Sequence, residues 1–439
     1  MCDTFVSIIP GKKGHSVIFG KNSDREPNEA QVLEYYPSQS YSTKKKVHCT
    51  HISIPQVRET NSILISRPFW MWGAEMGAND KGVVAANEPV FTKMPYKDSG
   101  GLTGMDMVRL VLERSETAEQ GLETIITLLA DYSQGGISGY QNKKLSNHNS
   151  FIIADPDEAW VLETAGDLWA AIKVKEDYAL SNALTIGTEF DRCHPDLIET
   201  AQQMKLIKGG KEFHFAESFS DWFHTRLSGA KARKEGARDL VNNLAETGDI
   251  SSAFDILRFH GEEPYNPSTH MMQNSICLHA GNSIARNTNT TASLVAHLRK
   301  GGDNLFWATA TAAPCTSVFK PVWMEGDVLP DLGPAPNGQF NSKAFWWYHE
   351  RLHRALLQDF SQMESFYPER DKLQSSFIKV AYRMKSKERF SYTCDTFKES
   401  KDLSKRWWHK LKESPNKSAA SFLFKKYWAK QNQMADLTF

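Results

Sequence analysis

The chain has 439 residues, and its 52 Lys and Arg residues balance its 52 Asp and Glu residues, so the formal net charge is zero. This length exceeds one average domain and supplies material for a large core. The balanced charge indicates no global attraction to nucleic acid or to anionic lipid. Because no stretch of about 20 apolar residues occurs, we expect no membrane span. Because no apolar run follows a charged N-terminal segment, we expect a cytoplasmic protein without a secretory signal.

Cys2, directly behind Met1, is the first residue that carries chemistry. A small second residue normally allows Met1 to be removed, which would leave Cys2 with both a thiol and a free α-amine. Their reference pKa values are about 8.5 and about 8, so the amine is partly neutral at physiological pH and could act as base for its own side chain. The alternative is that Cys2 is an ordinary small residue without a role.

The first predicted element is a β-hairpin. Residues 2–9 and 15–20 are rich in β-branched and aromatic residues and flank a turn that contains Pro and Gly. Counting outward from this turn places Cys2 opposite about Ser23, and directly opposed residues in a sheet lie about 5 Å apart. Four polar residues would thus arrive beside the thiol: Lys21, Asn22, Asp24 and Arg25.

Each residue of this polar group has a chemical task that it could perform. Asp24 could hold the α-ammonium or orient the amine, and Asn22 could bond the substrate. Lys21 or Arg25 could favour the thiolate, because nearby cations lower the pKa of a cysteine. A charged loop at the end of a hairpin, without function, is the alternative interpretation.

Strands and two helices follow between residues 62 and 174. Apolar residues at helical spacing predict helices at 105–112 and 118–129, with Thr117 as a cap. Strands are predicted at 62–66, 82–86, 150–154, 159–163 and 169–174. This order of elements is typical of an α+β layered fold.

Residues 188–270 are more polar and predict mostly helices, so we expect an insertion or a covering layer beside the site. Helices are predicted at 237–245 and 252–257. Strands are predicted again at 275–279, 291–296 and 305–309.

The six cysteines have a wide and irregular spacing, which indicates no disulfide framework, and we expect them to be reduced. They are Cys2, Cys49, Cys193, Cys277, Cys315 and Cys394. The sequence Cys277-Leu278-His279 suggests a metal-ligand pair, but no second paired ligand motif accompanies it, as zinc sites usually require. We therefore favour packing for Cys277 and expect neither a metal nor another cofactor.

The C-terminal part differs in composition from the rest. Residues 330–341 contain three prolines and two glycines and predict a linker, and residues 342–439 form a basic, aromatic-rich extension that we expect to be helical. Its tryptophans are Trp346, Trp347, Trp407, Trp408 and Trp428. Basic residues interleaved with aromatic ones can bind nucleic acid. We favour helices that pack their aromatic faces onto the core, and expect no nucleic acid partner.

Several ordered motifs closely resemble the secernins, over roughly residues 1–325. They include Val-Ile-Phe-Gly-Lys-Asn-Ser-Asp-Arg at 17–25, Trp-Met-Trp-Gly-Ala-Glu-Met-Gly-Ala-Asn at 70–79 and His-Asn-Ser-Phe-Ile-Ile-Ala-Asp at 148–155. Secernins are grouped with bacterial cysteine dipeptidases among the N-terminal nucleophile hydrolases. The resemblance implies a four-layer αββα sandwich over residues 2–329 and attack on amide bonds. It also implies a link to regulated exocytosis.

The resemblance assigns roles to individual residues. Lys21 and Asp24 fall at the spacing of an Arg-x-x-Asp motif found in related bile-salt hydrolases and penicillin V acylases. Asn79, in Gly-Ala-Asn-Asp-Lys-Gly, would supply an amide on the oxyanion side, and Asn182 would supply a second one. The relatives also use a late arginine, and Arg286 lies near the right region. The predicted catalytic residues are Cys2, Asp24, Asn79 and Asn182, and the predicted substrate-binding residues are Lys21, Asn22 and Arg25.

These observations predict a cysteine-type hydrolase of amide bonds, most closely a dipeptidase or another exopeptidase. It would act on a small peptide or amide through an acyl-enzyme on Cys2, with the α-amine as base. One alternative is a catalytically weak or inactive interaction protein of trafficking or exocytosis. Another is a non-peptide amidase or acylase, which shares the mechanism and differs in pocket shape. The oligomeric state is left open.

Overall fold

Strands and helices are defined over most of the chain in the computed structural model. It describes residues 2–11, 14–207, 212–227, 229–261, 264–270, 275–284, 286–413 and 420–439. The strands are β1 (Cys2–Gly11), β2 (Gly14–Arg25), β3 (Gln31–Tyr36), β4 (Gln39–Ser40), β5 (Lys46–His48), β6 (Ser53–Pro55), β7 (Glu59–Thr60), β8 (Ile63–Pro68), β9 (Met76–Asn79), β10 (Val84–Val90), β11 (His148–Ala154), β12 (Ala159–Ala165), β13 (Leu168–Lys173), β14 (Asp177–Leu180), β15 (Arg192–Cys193), β16 (Asn289–Arg299), β17 (Leu305–Ala308) and β18 (Lys320–Val322). The helices are α1 (Gly104–Arg114), α2 (Ala118–Tyr132), α3 (Leu197–Gln203), α4 (Phe215–Phe219), α5 (Trp222–Leu227), α6 (Ala230–Thr247), α7 (Ile250–Arg258), α8 (Phe345–Leu356), α9 (Met363–Ala381), α10 (Ser386–Glu413) and α11 (Phe422–Met434), with short 3₁₀ turns at Pro314–Thr316 and Phe360–Gln362.

Two antiparallel sheets form the centre of the molecule. The first, called the nucleophile sheet, has the strand order β14-β1-β2-β16-β17-β18. The second, called the facing sheet, has the order β15-β13-β12-β11-β10-β9-β8-β3. Cys2 begins β1, so it lies on an interior strand of the nucleophile sheet.

The two sheets pack face to face through one apolar core, and helices cover both outer faces. Val6 and Phe19 of the nucleophile sheet share this core with Leu64 and Ile152 of the facing sheet, and all four are fully buried. Helices α1 and α2 cover the far side of the facing sheet. Helices α6 and α7, with the C-terminal helices, cover the nucleophile sheet. The predicted four-layer αββα arrangement with a helical C-terminal part is therefore confirmed.

Local signals in the sequence account for where the helices begin. Thr103 accepts a hydrogen bond from the backbone of Asp106, whose carboxylate bonds the Thr103 backbone, so α1 starts with a capping box. Thr117 caps α2, as predicted, by accepting from the backbone of Gln120. Both helices bury their apolar stripes against the facing sheet.

The predicted N-terminal hairpin is confirmed, including its register. Cys2 pairs with Ser23, and the two strands extend to Gly11 and Arg25, beyond the predicted ends. The predicted strand at 275–279 is wrong. Ile276 and Cys277 both donate their backbone N–H groups to the carbonyl of Phe259, at 2.9 and 3.0 Å. This segment is therefore a loop and does not pair as a strand.

The C-terminal helices pack onto the body of the protein, as the packing interpretation of the aromatic residues predicts. Trp346, Trp347, Trp407 and Trp428 are buried. Arg354 of α8 donates to the Pro27 carbonyl and to Asn28 Oδ1, both at 2.8 Å, and joins this part to the loop after β2. A domain boundary at 330–341 stays a prediction. Among the described residues, no helix is both long and apolar enough to cross a bilayer.

Gly73 provides a test of this packing. A Cβ atom there would lie 2.3 Å from the backbone nitrogen of Asp106, where α1 lies against the segment before β9. We expect Gly73→Ala to lower the free energy of unfolding by about 1–3 kcal/mol, measured by urea denaturation, because backbone must move to make room. Gly302→Ala is the matched control, since its nearest neighbour would lie at 3.4 Å. Equal midpoints for the two variants would contradict the expectation.

Candidate active site

The Cys2 side chain points into the space between the two sheets. Alternate residues of β1 share a face, and Val6 of that face belongs to the inter-sheet core. The thiol is almost fully buried, with Cys2 1% exposed. The backbone N–H of Asp24 donates to the sulfur at 3.3 Å, and the thiol lies 3.7 Å from Oε2 of Glu75. Hairpin pairing thus brings Asp24 to the sulfur, and the facing sheet contributes Glu75.

Buried charges surround the thiol. Lys21 Nζ lies 3.3 Å from Glu75 Oε2 and 3.8 Å from Glu88 Oε1, and Arg25 Nη1 lies 3.1 Å from Glu75 Oε1. Burial raises the pKa of the Cys2 thiol, Lys21 lowers it, and both carboxylates raise it again, so that it stands well above its ordinary value. The resting thiol is therefore protonated and needs a base before it can attack.

The two carboxyl groups of this cluster differ in protonation. Burial would raise the pKa of Glu75, but the Lys21 and Arg25 cations overcome that effect, and the pKa falls below its usual value. Burial raises the pKa of Glu88 to about 8, against the effects of Lys21 and of the Thr4 hydroxyl. Glu75 is thus ionised at neutral pH, whereas Glu88 largely keeps its proton.

A second group of residues lies around the backbone nitrogen of Cys2. This nitrogen donates to Asn182 Oδ1 at 3.0 Å, and the same oxygen accepts from Arg233 Nη2 at 2.6 Å. Arg233 Nη1 also pairs with Asp3 Oδ2 at 2.6 Å and lies 4.0 Å from Asp24 Oδ2. Burial raises the pKa of Asp24 to about 7, although Arg233 works against it. The nitrogen and the sulfur of Cys2 are therefore held by separate sets of groups.

The structure brings most of the predicted residues to Cys2. Asp24 and Asn182 contact its sulfur and its nitrogen, respectively. Lys21 and Arg25 lie on the thiol side, but they are engaged in ion pairs with Glu75 and other carboxylates. The expectation that these two cations meet a substrate carboxylate has no support in this arrangement.

The structure corrects the expectation for Asn79. Its Nδ2 donates to the carbonyls of Leu112 and Ser115 at 3.0 and 2.7 Å, and its Oδ1 accepts from the backbone of Lys81 and Val83 at 3.1 and 2.9 Å. The amide is fully used by the β9–β10 turn and by the end of α1. It is not directed toward Cys2, because a turn at the end of β9 uses a side-chain amide to replace missing ladder bonds.

The expectation that Asn22 binds the substrate is corrected for a different reason. Lys21 faces the thiol, so its neighbour in the strand faces the opposite side of the sheet. There Asn22 Nδ2 donates to the carbonyls of Leu257 and Ile276 at 2.8 and 3.0 Å, and Oδ1 accepts from Ser293 at 2.6 Å. Asn22 therefore holds α7 and the loop at 275–280 on the nucleophile sheet.

Sequence reasoning did not assign a role to Glu75 or to Arg233. Glu75 lies within the Trp-Met-Trp-Gly-Ala-Glu-Met-Gly motif, so a signal for it existed. Arg233 has no such motif around it and reaches Cys2 only because α6 packs on β1. The suggested Arg286 instead donates to the carbonyls of His270 and His279. Arg233, by contrast, donates to the Cys2 carbonyl and to Asn182 Oδ1.

Neither of two surface cavities leads to the thiol. One, of about 730 Å³, lies between β3 and residues 326–336, and the other, of about 500 Å³, lies beside β13 and β14. Cys2 lines neither of them.

Solved structures with a similar fold include a bile acid hydrolase and a penicillin acylase. A variant of conjugated bile acid hydrolase from Clostridium perfringens is 14% identical, with a TM-score of 0.45, over 74% of this chain and 93% of that chain. Penicillin V acylase from Agrobacterium tumefaciens is 12% identical, with a TM-score of 0.43, over 74% of this chain and 86% of that chain.

A family model was matched as well. The model that describes Peptidase family C69 matches residues 49–231, a segment that includes Glu75, Glu88 and Asn182 of the site. Over this segment the chain is similar to Peptidase family C69, in agreement with the predicted family resemblance.

Proposed function

We propose that the protein is a cysteine-type amide hydrolase, and that its substrates are small peptides which it cleaves as a dipeptidase or another exopeptidase. The observation that carries this proposal is the double engagement of Cys2. Its nitrogen is held by Asn182 and its sulfur faces the Asp24 N–H group, at 3.0 and 3.3 Å. A residue held at both groups is prepared to act as nucleophile and base together. The match to Peptidase family C69 supports the same class of reaction.

The base in this proposal is the α-amine of Cys2. In a form of the chain that begins at Cys2, the nitrogen bonded to Asn182 Oδ1 is that amine. Glu75 also contacts the thiol, but its lowered pKa makes it a weak base, and efficient bases have a pKa near the working pH. Glu75 orients the thiol, and Lys21 supplies positive charge that favours the thiolate.

The reaction proceeds in two steps. The amine takes the thiol proton, the sulfur attacks the scissile carbonyl carbon, and collapse of the tetrahedral adduct transfers that proton to the leaving amine and forms a thioester. Water, deprotonated by the same α-amine, then releases the acid and restores the thiol. The Asp24 backbone N–H lies 3.3 Å from the sulfur and is proposed to face the oxyanion. Loss of such a donor costs about 10²–10³ in rate.

Arg233 and Asp24 position the nucleophile from the opposite face of the sheet. Arg233 orients the Asn182 amide that receives the Cys2 nitrogen, and Asp24 faces Arg233 at 4.0 Å. A non-peptide amidase or acylase shares this chemistry and would differ in the shape of the pocket that receives the substrate.

A second function is favoured by one observation, the burial of Cys2. A thiol that is 1% exposed suits an interaction protein that keeps the hydrolase fold without turnover. Hydrolysis by the parent protein, compared with Cys2→Ala, separates the two functions. We also propose a cytoplasmic location, which the six free cysteines support, because thiols stay reduced there.

Replacement of the nucleophile is the direct test. We expect Cys2→Ala to abolish hydrolysis of a mixed dipeptide panel by chain that begins at Cys2, with little change in the urea midpoint. Cys394→Ala, at a half-buried position on α10, is the control and should keep full activity. Turnover retained in Cys2→Ala would refute the mechanism. No turnover by either the parent or the control would favour the interaction protein.

The state of the N-terminus is a separate test. A Gly-Ser extension before Cys2 converts the amine into an amide, which is not basic. We expect at least about a 100-fold loss of kcat/KM relative to chain that begins at Cys2, because general-base catalysis contributes about 10²–10⁴. The mass of each form is checked by mass spectrometry. Equal rates for the two forms would exclude the α-amine as base.

Asp24 sets the pH dependence. Its pKa of about 7 means that the ionised form, which faces Arg233, accumulates as the pH rises through 7. We expect kcat/KM to rise over that range, and Asp24→Asn to remove this rise while the titration of the amine near pH 8 remains. A merely structural role would lower the rate at every pH and leave the profile in place.

A further inference from the structure

Four side chains that bind soft metals converge outside the candidate active site. They are His260, Cys277, His279 and Cys315, all buried, with their ligand atoms within 4.8 Å of one another. They come from the segment after α7, from the loop at 275–280 and from the 3₁₀ turn Pro314–Thr316. Three separate segments thus deliver two thiols and two imidazoles to one point.

The separations of these atoms match the edges of a tetrahedron. His279 Nε2 lies 3.3 Å from His260 Nε2, 3.4 Å from Cys315 Sγ and 3.8 Å from Cys277 Sγ. In a tetrahedral zinc site with Zn–N of about 2.0 Å and Zn–S of about 2.3 Å, neighbouring ligand atoms lie roughly 3.3–3.8 Å apart. A metal ion at the centre would therefore need only small adjustments of these side chains.

Hydrogen bonds behind His279 set its tautomer for metal binding. Its Nδ1 lies 2.9 Å from Nε2 of His353, and His353 Nδ1 lies 2.9 Å from Oε2 of Glu350, whose other oxygen accepts from Arg354 at 2.7 Å. The ionised Glu350 accepts the proton of His353, so His353 Nε2 accepts the proton of His279 Nδ1. Nε2 of His279 is then left as a lone-pair donor that faces both sulfurs. Such carboxylate–histidine relays are the usual outer partners of zinc ligands.

We propose that His260, Cys277, His279 and Cys315 form a structural Zn²⁺ site. Four protein ligands close the coordination sphere, as in structural sites, whereas catalytic sites keep an open position. The two thiols bind as thiolates and release two protons, so the two negative charges balance the charge of the ion in a buried place.

The zinc site lies between the active-site strands and the C-terminal helices. Leu278 N donates to Thr290 Oγ1 at 2.9 Å, and that hydroxyl donates to Asp24 Oδ1 at 2.6 Å. On the other side, Trp428 Nε1 of α11 donates to the Ala280 carbonyl at 3.1 Å. The ion would therefore hold the loop at 275–280 in the position that both the Asp24 network and α11 require.

The sequence alone predicts no metal site, because a second pair of closely spaced ligands, the usual signal of a zinc site, is missing. Cys277 and His279 form one close pair, but His260 and Cys315 stand apart in the chain and form no second pair. Only the packing of α7 and the 3₁₀ turn on the nucleophile sheet brings them together.

The test measures bound metal in the full chain, purified without a histidine tag and without chelators. Inductively coupled plasma mass spectrometry should find about one zinc ion per chain. Cys277→Ser and Cys315→Ser should lower this at least about tenfold, whereas Cys49→Ser and Cys394→Ser, at cysteines outside the cluster, should keep it. His353→Ala should weaken zinc binding about 10- to 100-fold in competition with a chromogenic chelator.

A second measurement uses the parent protein alone, in case the ligand variants do not fold. Replacement of zinc by Co²⁺ should produce intense visible bands of a tetrahedral site and a thiolate charge-transfer band near the ultraviolet. Thiol titration of the denatured protein should find all six cysteines. A zinc content near zero with six thiols, or four thiols owing to a Cys277–Cys315 disulfide, would overturn the proposal.

The outcome is independent of the proposed hydrolase. Cys2→Ala should keep its full zinc content, because Cys2 is not a ligand. Bound zinc without hydrolysis would support the zinc site and refute the proposed enzyme. Hydrolysis without bound zinc would support the enzyme and refute the zinc site.

Discussion

The antiparallel pairing of β1 with β2 is the constraint on which the rest of the site depends. It places Cys2 beside Ser23 and makes the backbone of Asp24 reach the sulfur. Because side chains alternate along a strand, the same pairing sends Lys21 to the thiol side and Asn22 to the opposite side. The sulfur consequently meets Glu75 from the segment before β9, whereas the nitrogen is held by Asn182, which Arg233 of α6 contacts in turn.

The buried charges beside Cys2 lower the stability of the folded protein through their desolvation, and the fold does not require them. Lys21 and Glu75 are both fully buried, and removal of two charges from water costs several kcal/mol each before their attraction is counted. Apolar residues of the same size would stabilise the sandwich equally well or better. The retention of these charges around one thiol is explained by the chemistry of that thiol.

The C-terminal helices are coupled to the same centre. Glu350 and Arg354 of α8 form a buried ion pair. Arg354 also contacts the loop after β2, and Glu350 also contacts His353. A zinc ion bound through His279 would add a second link between this layer and the Asp24 network. The extension thus contributes to the support of the candidate active site, and its aromatic residues are packing elements.

Local features were predictable from the order of the residues: the hairpin with Cys2 opposite Ser23, the capped helices α1 and α2, and the layered α+β class. These follow from alternation, capping and turn chemistry, which act over a few residues. Tertiary structure alone decided that Arg233 holds Asn182, that Asn79 is used in a turn, and that two cysteines meet two histidines. The physical reason is that these partners come from segments far apart in the chain. Their meeting depends on how whole layers pack, which no local pattern encodes.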